Sequence, residues 1–214
     1  MPFKDRVEAG KRLAAALREF EGKNVVVLGI PRGGVVVAKE VAEALGAPLD
    51  VVVTRKIEAP GEPEYALGAV TQEGEVIMDR QAAESLGASK EYLDAQIRQK
   101  KEEVRQRMAR FRGDAPYPDL KGKVVIIVDD GIATGSSVVA AVMSVKKRGP
   151  REVVVAVPVA PIDAVESLKG EGNRVVCLET PGEFMAIGEF YSRFDQVEDS
   201  EVKRILDESW KRRG

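Results

Sequence analysis

The sequence predicts an α/β protein: a central, mostly parallel, twisted sheet flanked by helices. Three observations predict it. The apolar runs "NVVVLGI" (24–30), "KVVIIVDD" (123–130) and "EVVVAVPVA" (152–160) are continuous, without the alternation of a sheet that faces water on one side. Segments with helical apolar spacing stand between them, the order expected of a parallel sheet covered on both faces. The length, 214 residues, suits one compact domain with at most a small appendage.

The elements follow in order. Residues 4–20 read as an amphipathic helix with Val7, Leu13, Leu17 and Phe20 on its apolar side. A strand over 24–30 is followed by a helix over 35–45 that Gly46 closes. "LDVVVTRKI" (49–57) reads as one second buried strand, and 68–79 as a hairpin turning at Glu73–Gly74. A long helix over 89–112 carries Leu93, Ile97, Val104, Met108 and Phe111 on one stripe; the basic run within it, 97–112, reads as a solvated face. Next come a strand over 123–130, a helix over 136–148 ended by Gly149–Pro150, and a strand over 152–160. A short helix over 162–169, a last strand over 174–180 and a terminal helix over 199–212 complete the order.

Composition excludes whole classes of function. The chain has no histidine, so a histidine triad, a histidine general base and a histidine-ligated zinc site are ruled out. One cysteine, Cys177, allows no internal disulfide and agrees with a reducing cytoplasm. A net charge of -2 gives no global pull toward nucleic acid or an anionic membrane. No apolar run nears the roughly 20 residues of a membrane-spanning helix. The N-terminal stretch also lacks a signal peptide's uninterrupted apolar centre. Any chemistry therefore falls to carboxylates, Lys/Arg, hydroxyls, backbone amides or an oxygen-bound metal.

In a parallel sheet ligands gather at the carboxyl ends of the strands. Three polar groups lie there: Pro31-Arg32-Gly33-Gly34, Thr54-Arg55-Lys56, and Asp129-Asp130 followed by Gly131-Ile132-Ala133-Thr134-Gly135-Ser136-Ser137. The last is a strand-to-helix turn whose glycines admit close backbone approach and whose helix start offers amides to an anion. Thr134, Ser136 and Ser137 add hydroxyls. No lysine follows the glycine, so it is not a nucleoside-triphosphate P-loop, and no segment fits the dinucleotide G-x-G-x-x-G pattern. A phosphate cradle beside two carboxylates suits a phosphorylated sugar, with the aspartates taking vicinal hydroxyls. A simpler role, Asp130 or Thr134 capping a helix, explains one residue but not the whole group.

The run of apolar residues, two acids and then G-x-x-T-G-x-S resembles the binding motif for 5-phosphoribosyl 1-pyrophosphate (PRPP) of type I phosphoribosyltransferases. The resemblance implies that family's fold, with a small hood and a flexible loop or hairpin insertion, in a single domain over 1–214. It implies that Asp129 and Asp130 hold the ribose 2- and 3-hydroxyls and that Gly131 to Ser137 hold the 5-phosphate. It also implies a pyrophosphate loop at Pro31, Arg32, Gly33 and Gly34, with a non-proline cis peptide between Pro31 and Arg32. Arg55 and Lys56 follow a neighbouring strand, where a cation for the pyrophosphate is often found. Asp129, Asp130, Arg55 and Lys56 are thus the candidate catalytic residues. Mg2+ is the implied cofactor, bound mainly through substrate, with Asp129 or Asp130 as candidate protein ligands.

The insertion over 57–122 is longer than an ordinary connection. The resemblance places a mobile loop there, for which "IEAPGEPEYALG" (57–68) is the best candidate, and a hood in the segment over 180–214 with the terminal helix. Phe184, Phe190, Tyr191 and Phe194 gather in that segment, where packing against the core competes with stacking on a base. Ala133 stands where 6-oxopurine enzymes of the family carry an aspartate, which argues against that proton handling. The expected activity is transfer of phosphoribose from PRPP to a nitrogen nucleophile, a nucleobase or related acceptor. The alternative is a PRPP- or nucleotide-binding regulator of the same fold without transferase activity. A receiver-type phosphoacceptor is disfavoured, because the later strands end without another aspartate. The expected partners are PRPP and an unidentified acceptor, with no nucleic acid and no membrane; a homo-oligomer is left open.

Overall fold

The computed structural model of the chain describes residues 2–113 and 115–212, the side chains of Pro63 and Glu64 excepted. Helix α1 (Arg6–Ala16) opens on Asp5, whose carboxylate accepts from the Glu8 amide at 3.0 Å. It is shorter than the periodicity suggests, because a 3-10 turn (Arg18–Phe20) takes over beyond Leu17. Leu13, Leu17 and Phe20 are buried as expected, but Val7 is 39% exposed and does not belong to the apolar face.

Strand β1 (Val25–Gly29), helix α2 (Gly33–Leu45) and strand β2 (Leu49–Val51) form the first parallel unit. The expected strand over 49–57 is corrected here, because it is two strands in two sheets. β2 stops at Val51, and β3 (Arg55–Ala59) begins a separate antiparallel sheet with β4 (Glu62–Val70) and β5 (Val76–Met78). The expected hairpin around Glu73–Gly74 is present as β4–β5. The stretch over 57–68, expected as a loop, is instead the β3–β4 hairpin, bulged at Ile57–Ala59.

Two helices follow, α3 (Arg80–Ser85) and α4 (Lys90–Arg112), the second capped by the Ser89 hydroxyl. The chain then returns to the main sheet through β6 (Val124–Val128), α5 (Ser136–Lys146), β7 (Glu152–Val159), α6 (Ile162–Gly170) and β8 (Arg174–Glu179). Helix α7 (Asp199–Lys211) closes the described chain. None of the described helices is long and apolar enough to cross a membrane.

The main sheet has the order β2-β1-β6-β7-β8, and each of its pairs is parallel. Its central strands are buried on both faces, which is why their sequences are continuous apolar runs. Val25, Val27, Val124 and Ile126 pack toward Leu13 of α1, Val37 and Val41 of α2, and Val202 and Ile205 of α7. Val26, Leu28, Val125 and Ile127 pack on the other side against Val138 and Val142 of α5 and Val165 of α6. The strand order places the site. The chain leaves β1 toward β2 on one side and β6 toward β7 on the other, so connections diverge above the β1–β6 pair and leave a crevice there.

Candidate functional site

Gly29 of β1 pairs with Val128 of β6, so both chains leave the sheet at the same level. From β1 the chain passes through Pro31 and Arg32, joined by a cis peptide bond as the resemblance implied, into α2 at Gly33. From β6 it passes directly into Asp129 and Asp130. The two turns touch. A Cβ on Gly33 would lie 1.9 Å from Asp130 Oδ2, and one on Gly34 would lie 2.8 Å from Asp129 Oδ1 and from the Val128 carbonyl. The glycines that looked like a phosphate turn are therefore also the seat on which both carboxylates rest.

Asp129 Oδ1 accepts from the Asp130 amide at 2.9 Å. Burial, and next the negative charge of Asp130, hold the Asp129 carboxyl well above the usual carboxylate range. Asp130 Oδ2 accepts from Arg6 Nε at 2.7 Å, a partner in α1 that nothing in the motif announces. The Asp130 carbonyl accepts from the Tyr191 hydroxyl at 2.6 Å. One oxygen of each carboxylate is left without an N–H donor among the described residues.

The turn from Gly131 to Ser137 then wraps a small cavity of about 160 Å3 that Asp129 and Ile187 also line. Ile132 anchors the turn; its side chain is buried and its amide donates to the Val159 carbonyl at 2.9 Å. Gly135 has φ +81°, the left-handed backbone needed where the turn enters α5. Thr134 Oγ1 and Ser136 Oγ lie 3.2 Å apart at the helix start. Ala133 sits in the same turn, with no carboxylate to offer. Gly131 runs under the 180–198 segment, where an added Cβ would meet Ile187 at 2.6 Å.

Arg55 and Lys56 are the first residues of β3, where adjacent side chains leave on opposite faces, so the pair is divided. Arg55 Nε lies 3.0 Å from a Glu103 carboxylate oxygen. Arg107 of α4 joins this neighbourhood unannounced. Burial, and then the positive charge of Arg55, lower its pKa, with Arg32 contributing in the same direction. Arg32 of the cis-peptide turn also lies 3.9 Å from Asp199.

The aromatic segment over 180–198 is stitched to the N-terminus. Phe3 donates to the Phe190 carbonyl and accepts from Ser192, both at 2.7 Å. The ring of Tyr191 lies 5.4 Å from that of Phe3 and 4.9 Å from that of Phe194, while Phe184 stacks on Phe190 at 5.2 Å. These rings pack on one another, and Ile187, not an aromatic residue, reaches the cavity.

The model of the phosphoribosyl transferase domain matches residues 4–181, most of the chain. This chain belongs to the phosphoribosyl transferase domain family. The match to this domain takes in both turns of the crevice, the small sheet and α1, and ends at the start of the aromatic segment. A Mycobacterium tuberculosis protein named "Putative phosphoribosyl transferase" is 43% identical over 205 residues, covering 96% of this chain. The chain spans about half the length of the curated relatives it matches, 46% of that protein. The crystal structure of TT1426 from Thermus thermophilus is 48% identical, with TM-score 0.90 and coverage of 97% of this chain and 99% of that one. A hypothetical protein from Neisseria gonorrhoeae, solved with bound ppGpp, is similar in fold to this chain at 16% identity, with TM-score 0.50 and coverage of 97% of this chain and 98% of that one.

Proposed function

We propose that this phosphoribosyl transferase domain moves the 5-phosphoribosyl group of PRPP to a nitrogen nucleophile, a nucleobase or related acceptor, and releases pyrophosphate. The observation that carries the reading is the contact of Gly33 and Gly34 with Asp130 and Asp129 at the crevice above β1 and β6. That contact supports a reading in which the turn over 31–34 takes the pyrophosphate beside the acid pair that opens the 131–137 turn. In this reading Gly131 to Ser137 bind the 5-phosphate with main-chain and hydroxyl donors. Asp129 and Asp130 accept from the ribose hydroxyls, and the turn over 31–34 with Arg55 meets the pyrophosphate. The C1–O bond breaks and its electron pair leaves with pyrophosphate. The acceptor nitrogen then bonds C1 and gives up its proton to water or to the departing pyrophosphate. Cations and amides fixed where charge builds on the leaving group lower the barrier.

The donor set fits Mg2+. Each carboxylate keeps an oxygen without an N–H donor, and no described group of three or more acids could cage an ion. Oxygens of the substrate would hold most of such an ion, with Asp129 or Asp130 as the candidate protein ligand. When bound, Mg2+ neutralises charge on the pyrophosphate.

The test is PRPP-dependent pyrophosphate release across a panel of nitrogen acceptors. The wild-type chain is expected to turn over with one of them, and Asp129→Asn or Asp130→Asn to lose about 10²–10³-fold in rate, the cost of a missing preorganised group. PRPP binding without release for any acceptor would favour the regulatory reading, which Ala133 supports by leaving the cradle without a carboxylate. No PRPP binding at all would defeat the transferase reading and leave the regulatory one only in its nucleotide-binding form.

A further inference from the structure

Arg6 lies in the first turn of α1, 124 residues from Asp130, and belongs to none of the strand-end turns. Its guanidinium is nonetheless engaged on three sides. Nε donates to Asp130 Oδ2 at 2.7 Å, Nη1 donates to the Asp195 carbonyl at 2.7 Å, and the group lies 3.8 Å over the ring of Phe194. The Arg6 side chain is only 11% exposed and that of Asp130 13%. A lysine's single charged centre would not satisfy these directions at once, whereas the planar fork of arginine does.

Asp130 is fixed in turn at each end. Its amide is held by Asp129, its carbonyl by Tyr191, and one carboxylate oxygen by Arg6, with Gly33 packed beneath it. What remains is the other oxygen, Oδ1, to which no N–H among the described residues donates, although the neighbouring Asp129 carboxyl lies within hydrogen-bond reach of the Asp130 carboxyl. A strut joining α1 to the turn would need only the ion pair. The added hold on Arg6 from Asp195 and Phe194 fixes the direction of the carboxylate as well as its place.

Resting on the sugar-phosphate reading above, we propose that Arg6 is a positioning residue of the sugar site. It turns the Asp130 carboxylate so that its remaining oxygen meets the vicinal hydroxyls of a bound ribose phosphate. Hydroxyl selection then depends on a side chain outside the motif, itself braced by the aromatic segment.

The experiment compares ribose 5-phosphate with 2-deoxyribose 5-phosphate by calorimetry on the full chain. The wild type is expected to bind the ribose compound at least about tenfold more tightly, one well-made hydrogen bond to a charged group. Arg6→Gln should cut that ratio to within about threefold while leaving the deoxy affinity within about threefold, and Arg6→Lys, which keeps the charge but not the planar fork, should recover little of it, full recovery counting against the role. An undiminished ratio in Arg6→Gln would overturn the positioning role alone. Equal loss for both sugars would also overturn it, since a plain structural strut acts that way. A wild type that binds neither sugar, or does not tell them apart, would instead overturn the sugar-diol reading and this inference with it. Should Arg6→Gln fail to fold, Phe194→Leu is read the same way. It removes the ring under the guanidinium and keeps the charge, so a ratio reduced at least about threefold is expected, and an unchanged one counts against the role.

Discussion

A hydrogen atom at Gly33 decides whether the two halves of the site can meet. A methyl group there would stand 1.9 Å from Asp130 Oδ2 and 2.8 Å from Arg6 Nε, so both partners of one ion pair would have to move. Neither is the loose end of an exposed side chain: Asp130 is held through its amide and carbonyl, and Arg6 through Asp195 and Phe194. Gly33→Ala is therefore expected to cost about 1–3 kcal/mol of stability, the usual range for overpacking, and to weaken ribose 5-phosphate binding beyond that. Chemical denaturation and calorimetry on the same variant check it; unchanged stability with unchanged affinity would mean that the turns are not pressed together in solution. The sequence showed Gly33 as a turn residue but gave no hint of its neighbour. Which turn faces which is a property of strand order, and no local pattern carries strand order.

At the scale of the element, the instructive case is the break between β2 and β3. Val52 and Val53 are β-branched and buried, so by composition the strand should run on to Ile57. No glycine or proline marks a stop. The stop is tertiary. β1 ends at Gly29, whose carbonyl takes the Val52 amide at 3.1 Å, and the β1 chain then bends away, its Ile30 amide donating to Val128. Beyond that point β2 has no strand to pair with, and the chain joins the second sheet. The end of α4 holds this corner. Arg112 spans both oxygens of buried Asp50 at 2.7 and 3.0 Å and donates to the carbonyls of Ala115 and Pro116. Helical periodicity rightly predicted α4, but it put Arg112 at the end of a solvated basic face. Arg112→Ala would leave the Asp50 carboxylate buried without a countercharge, a loss of about 3–5 kcal/mol. Replacing both partners together, Arg112→Met with Asp50→Leu, should cost less than the single change, because no buried charge is then stranded. Urea unfolding of the two variants decides it, and a single variant as stable as wild type would remove Arg112 from this role.

On the scale of the whole molecule, the site belongs to no single element. It joins the turn after β1 to the turn after β6 and is braced by α1 and by the aromatic segment that pairs with Phe3. The alternation of strands and helices was legible because parallel strands buried on both faces must be apolar throughout. The acid pair and its cradle were legible because their chemistry is contiguous in the chain. Arg6 and Ile187 were not, since each reaches the crevice from a distant element whose own pattern is ordinary, and neither was Arg107, which lies near Arg55 and Arg32. A ligand seated across such a junction acts as a cross-link between segments that separate on unfolding. It binds the folded chain and not the unfolded one, so its stabilisation grows with the logarithm of its concentration. Ribose 5-phosphate at about one hundred times its dissociation constant should add about 2.7 kcal/mol. For a domain of this size that corresponds to a rise of roughly 5–11 °C in the melting temperature. Asp129→Asn should reduce the rise to a small fraction in the same scan, whereas a substitution on the remote, exposed side of α6, such as Glu166→Gln, should leave it whole. Equal shifts in both variants would show that the ligand stabilises the fold from somewhere other than this crevice.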